Sequence, residues 1–92
     1  MTRVVVAYDI SSNEVRQRVA EWLLARGFTR IQRSLYVARG GVALARDVAR
    51  FVSRLIDPER DVVHIIVVGD HEWDRRIVVG EEWGGGDAVR VV

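Results

Sequence analysis

The chain contains no cysteine. Disulfide staples and thiolate metal centres are thereby excluded, so any metal must be held by harder donors. Lysine is absent as well, and all fourteen basic residues are arginine. The planar guanidinium grips phosphate in a bidentate way that an ammonium cannot. No apolar run approaches the length of a membrane-spanning helix, and the start of the chain shows no signal-peptide pattern. The expectation is a cytoplasmic protein without membrane contact. Internal repeats and low-complexity tracts are also absent.

What is present is a 92-residue chain that is 49% hydrophobic. That length and composition suit one domain of two layers with a real core. The net charge of +1 conceals an asymmetry. Residues 1–56 carry ten arginines against four acids, whereas residues 57–92 carry four arginines against nine acids. The basic half suits a polyanion, and the acidic half offers a different kind of surface.

The run Val4-Val5-Val6-Ala7-Tyr8-Asp9-Ile10 reads as a strand buried on both faces. It ends in Asp9, beside the start of a helix, where open α/β sheets tend to bind ligands. Burying an aspartate is costly, so Asp9 needs a role there. It can cap the turn into the helix or hold a divalent metal through oxygen. On this stretch alone the cap is favoured.

Ser11 and Glu14 fit capping-box spacing. Val15, Val19, Trp22 and Leu23 recur at helical spacing, and Gly27 ends the helix. Arg16 and Arg18 fall on opposite flanks of that apolar stripe, as surface cations or as phosphate contacts. Residues 28–39 alternate as an extended segment, broken at Arg33. The break implies a kink or bulge near Arg33-Ser34, or two short strands. Arg30, Arg33, Ser34, Tyr36 and Arg39 suit a nucleic-acid backbone, with an aromatic for stacking; a solvated sheet face is the plainer reading.

Ala45, Val48, Val52 and Leu55 mark a second helix that stops before Pro58. Its ridge of Arg46, Arg50 and Arg54 reads as mainly solvated. Val62 to Val68 is a second apolar strand, with His64 satisfied or turned outward. Residues 69–74 read as a polar loop whose Asp70, His71, Glu72 and Asp74 match no metal motif. Ile77-Val78-Val79 reads as a short strand. Beyond the glycines, Ala88 to Val92 reads as a strand able to add to the sheet of a second subunit.

This order predicts an α+β fold: a ferredoxin-like βαββαβ sandwich, with two helices on one face of an antiparallel sheet. The two apolar strands are expected side by side in its centre. Residues 1–80 form the ferredoxin-like part, and residues 81–92 a glycine-hinged C-terminal strand extension of the same domain.

Four segments in order then carry a resemblance. Tyr8-Asp9-Ile10, Arg16 with Arg18, Arg30-Ile31-Gln32-Arg33-Ser34-Leu35-Tyr36 and Arg76-Ile77-Val78-Val79-Gly80 are similar to the CRISPR-associated protein 2 family. The likeness implies a homodimer and a Mg²⁺-dependent endonuclease acting on RNA or duplex DNA. It also implies a bridging role beside the CRISPR-associated protein 1 integrase. It makes Asp9 the metal-binding and catalytic residue, ahead of the cap reading. Tyr8, Arg16, Arg18 and Arg30 match positions tied to activity or nucleic-acid contact, and Arg33, Ser34 and Tyr36 complete that surface. Tyr36 stands where the family usually has phenylalanine, and Arg33 is a departure that adds charge. The alternatives are a non-cutting DNA-binding scaffold and a ribonuclease of the virulence-associated protein D type.

Overall fold

The structure, a computed structural model, describes residues 1–83. The strand expected over Ala88 to Val92 lies outside the described residues. Thr2–Asp9 forms β1, Asn13–Ala25 α1, Thr29–Gln32 β2, Leu35–Arg39 β3, Val42–Ser53 α2, Val62–Gly69 β4 and Asp70–Asp74 a short α3. The strands make one sheet in the order β2-β3-β1-β4, with every neighbouring pair antiparallel.

Strand alternation divides the core. Val4, Val6 and Tyr8 of β1 pack beneath Val19 and Leu23 of α1 and Val48 and Val52 of α2. Val5 points to the other, helix-free face and packs with Ile31 and Val37. β1 is therefore buried on both sides, as its unbroken apolar run requires. β1 and β4 do lie side by side, but the sequence expectation of two central strands fails for β4, which is an edge strand. Its apolar run has another cause. Val63 and Ile65 join the helix-side core. Val62 and Ile66 pair with Asp9 and Val5 on the helix-free face, where they stay 46% and 48% exposed.

The end of α1 follows from Gly27. Its φ of +88° is open to glycine without strain. The Phe28 N–H then reaches the Leu23 carbonyl and the Gly27 N–H the Leu24 carbonyl, closing a Schellman turn. At the other end the cap is Ser12, whose hydroxyl accepts from the Val15 N–H at 3.2 Å. The Ser11–Glu14 box does not form, because Ser11 is engaged elsewhere. Its N–H and its hydroxyl both donate to the Asp61 carboxylate at 2.9 Å.

Two further expectations change. Residues 70–74 are a turn of helix, not a loop, and the Asp70 N–H is held by the Met1 carbonyl. The segment Ile77 to Val79 contributes one bridge residue, Val78, in place of a strand. From α3 the chain crosses the helix-free face. Trp73 packs there on the Val5 cluster, and the Trp83 N–H reaches the Ile31 carbonyl on β2 at 2.8 Å.

Candidate functional site

The open break in residues 28–39 resolves as two strands joined through Arg33-Ser34, with Ile31 as an extra, bulged residue in β2. The bulge sends Ile31 to the helix-free side and leaves Arg30 opposite Tyr36 on the helix side. The turn is fastened to β1, since the Tyr8 N–H donates to the Ser34 carbonyl at 3.1 Å. The end of β1, the first turns of α1 and this β2–β3 turn then enclose a cleft of about 570 Å³. Asp9, Arg16, Arg30, Arg33 and Ser34 all line it.

Two of its arginines are anchored by neutral groups. Arg16 donates to the Ile10 carbonyl at 2.7 Å, to the Ser11 carbonyl at 3.3 Å and to the Asn13 side-chain oxygen. Arg30 donates twice to the Arg33 carbonyl, at 3.0 and 2.7 Å, and lies between the rings of Tyr36 and Trp83. Carbonyls and ring faces fix a guanidinium without cancelling its charge. The guanidinium of Arg33 has no partner among the described residues, so the cleft holds three cations that no carboxylate neutralises.

Asp9 sits at the rim. Alternation along β1 puts its side chain on the helix-free face, opposite Val62, where it is exposed. Ser12 caps the helix, so the capping role does not fall to Asp9. Tyr8, one residue earlier, points the other way into the core. Burial, and then the hydrogen bond with Tyr36, push its phenol well above the usual range. It therefore stays protonated at neutral pH.

Residues 1–76 match the family model described as CRISPR associated protein Cas2. The chain belongs to that family. Among Cas2 relatives, one named CRISPR-associated endoribonuclease Cas2, from Aeropyrum pernix, is 41% identical over 68 residues, 74% of each chain. A relative named as a CRISPR-associated endonuclease Cas1/endonuclease Cas2 fusion, from Thermoproteus tenax, is 47% identical over 53 residues, 58% of this chain and 20% of that one. The crystal structure of Streptococcus pyogenes Cas2 shares the fold, with a TM-score of 0.71 and 20% identity over 85% of this chain and 99% of that one.

In this Cas2 chain the cleft gathers Tyr8, Asp9, Arg16, Arg30, Arg33 and Ser34, six of the residues singled out from the sequence. Arg18 is not among them: it is exposed on the other flank of α1, one turn before Trp22. Tyr36 is not available as a stacking platform, because it is fully buried behind the cleft. Its aromatic ring serves the core and the seat of Arg30. His64, read from the sequence as satisfied or turned outward and not as a site residue, is turned outward. The β1–β4 register sets it opposite Ala7, one diagonal step from Asp9 on the same face, and it is exposed there. No local pattern marks that placement, because it depends on which strands pair.

As a metal position, the site offers one hard carboxylate. No cluster of three acidic, histidine or cysteine side chains occurs among the described residues. Magnesium takes one or two protein carboxylates, with water and phosphate oxygens completing the shell. The donor chemistry of Asp9 fits that pattern, as one contribution to a shared site.

Proposed function

We propose that this Cas2 chain is a metal-dependent endonuclease that cleaves phosphodiester bonds of RNA or duplex DNA as a homodimer. One observation carries the reading: at the rim of a cleft lined by three guanidiniums stands a carboxylate, and among the described residues neither it nor they are ion-paired. The names of the relatives support it.

The helix-free face supports the dimer. Val62 and Ile66 are half-exposed on it, and Ile77 and Val79 in the segment that crosses it are 74% and 77% exposed. Exposed apolar side chains at both edges of this face favour its use as an interaction surface. Two copies joined by that face would share Asp9 between them. Asp9 of both copies would hold a divalent cation, which supplies polarisation of the phosphoryl group and a lowered pKa for bound water.

The chain's own residues position the substrate. Arg33 is free to form a bidentate contact with a phosphate. Arg16 and Arg30 present fixed charge at little entropic cost, since main-chain carbonyls already hold them. Ser34 brings a hydroxyl to the same wall. The Tyr8 phenol lines the same cleft and, with its pKa raised chiefly by burial, keeps its proton at neutral pH.

The same cleft serves a scaffold role, in which nucleic acid is retained beside Cas1. The Cas1–Cas2 fusion relative favours that association. Asp9→Asn separates the two. It should abolish cleavage of RNA and duplex DNA in a metal-titrated assay, while leaving the dimer and its nucleic-acid binding intact. Undiminished cleavage by Asp9→Asn would remove Asp9 from the chemistry, and an inactive wild type would leave the scaffold role.

A further inference from the structure

A second basic surface lies on the helix layer, apart from the strand-end cleft. Between α1 and α2 runs a groove of about 220 Å³. Its floor is the stacked pair Trp22–Phe51, with ring centroids 4.5 Å apart and planes 8° from parallel. The Arg26 guanidinium covers the Trp22 ring at 4.4 Å. Arg50 and Arg54 rise from α2 along the same groove. Asp47 pairs with Arg50 at 2.9 Å, and Arg54 has no partner among the described residues.

We propose that this groove is a second track for a nucleic-acid backbone. The ligand rests on the nucleic-acid reading above, but the surface does not. Spacing is the first argument. Arg50 and Arg54, which line the groove, lie four residues apart, or about 6 Å along a helix axis, and Arg46, outside that lining, continues the ridge by the same step. Phosphates of one duplex strand rise about 3.4 Å each along the axis while winding round it, so neighbouring phosphates lie about 6–7 Å apart in space. The ridge can therefore meet successive phosphates of one strand.

The second argument concerns what the groove lacks. Protein partners are anchored by apolar and aromatic side chains in a desolvated centre. Among the described residues, none of the large apolar side chains left exposed lines this groove. Its two aromatic rings are occupied by each other, and Trp22 also by Arg26, so neither offers an anchor or a base-stacking platform. What remains is charge in a row, which suits a phosphodiester backbone better than an acidic protein segment.

The test is the salt dependence of binding to a duplex of about 30 base pairs, between about 50 and 200 mM salt. Arg50→Ala/Arg54→Ala should make the log–log slope shallower by about 0.9 to 1.8, the lower figure if Asp47 keeps Arg50, so that the fall in affinity across that range is about 3.5- to 12-fold smaller. Asp47→Asn, which releases Arg50, should tighten binding. Arg60→Ala/Arg75→Ala removes the same net charge elsewhere and should leave the slope near that of wild type. Arg33→Ala reports the strand-end cleft in parallel. A slope that moves with Arg33→Ala but not with Arg50→Ala/Arg54→Ala overturns the groove and spares the cleft. An equal effect from the Arg60/Arg75 control reduces the groove to bulk charge and overturns it too. So does a double variant that binds duplex normally but has lost affinity for polyglutamate, which would make the occupant an acidic protein segment. A wild type that fails to bind duplex at all overturns both readings.

Discussion

The Tyr8 phenol donates to the Tyr36 phenol across 3.4 Å, with the Arg30 guanidinium 5.7 Å from the Tyr36 ring centre. The pair joins the core to the wall of the cleft. It also makes stability depend on alkaline pH. The folded state holds the Tyr8 proton more tightly than the unfolded chain does, chiefly because the phenol is buried. That contribution is complete below the ordinary tyrosine value of about 10 and is lost as pH rises above it. Thermal melts from neutral to strongly alkaline pH should show an early decline in wild type. Tyr8→Phe should lower stability modestly at neutral pH and blunt that alkaline decline. Tyr36→Ala should cost about 3–5 kcal/mol, as for other large aromatics removed from a core. Any loss of nucleic-acid binding in that variant should then track its unfolding.

The arginines of the cleft divide by what holds them. The Arg33 guanidinium has no partner among the described residues, so Arg33→Ala should change stability by no more than about 0.5 kcal/mol. It should lower the salt slope of nucleic-acid binding by about 0.9, the value of one phosphate contact. Arg16 is different because it ties the Ile10 and Ser11 carbonyls at the turn into α1. Arg16→Ala should weaken binding and also lower stability by about 1–2 kcal/mol, since hydrogen bonds from a charged donor are the stronger kind. Urea unfolding beside a salt titration separates the two effects.

Much of this site was legible in the chain because the signals are local. The unbroken run before Asp9 marked a doubly buried strand, and Gly27 marked the end of α1. The charge split between halves pointed to the basic face. Three features were only partly legible, for physical reasons. The break at Arg33-Ser34 was legible, but the choice between a kinked strand and two strands stayed open, because the turn lacks the glycine or asparagine that usually marks a hairpin. The bulge at Ile31 breaks simple alternation, so Tyr36 seemed to share a polar face with Arg30 and Ser34. Its burial depends on lying opposite Val6 under two helices, which is tertiary information. The apolar run of β4 resembled a central strand, although it is an edge strand with an uncovered face.

That uncovered face gives a test of assembly. Ile66 lies on the helix-free side beside Val5, and it is 48% exposed. Ile66→Asp would place a charge in the middle of the patch, at little cost to a lone protomer. Sedimentation should show wild type as a dimer and Ile66→Asp as a monomer with an unchanged circular dichroism spectrum. If Asp9 must be shared between copies, cleavage should disappear with the dimer. A monomeric Ile66→Asp that still cleaves would show that one Asp9 suffices.

Asp61 contributes to the acid side of the stability profile. Its carboxylate accepts from the Ser11 N–H, the Ser11 hydroxyl and the Asp57 N–H, each at 2.9 Å. The Ser11 N–H is the largest cause holding its pKa below the usual aspartate value. The clamp links the chain just before β4 to the turn that positions Asp9 and Arg16. A depressed carboxylate stabilises the fold above its unfolded pKa of about 4, and that contribution is lost as pH falls through the folded value. Asp61→Asn should therefore melt earlier than wild type at neutral pH. The gap should close as the pH is taken well below 4, where the wild-type carboxyl is itself neutral. A gap that stays constant across that range would show that the clamp works through the shape of the loop and not through the charge of Asp61.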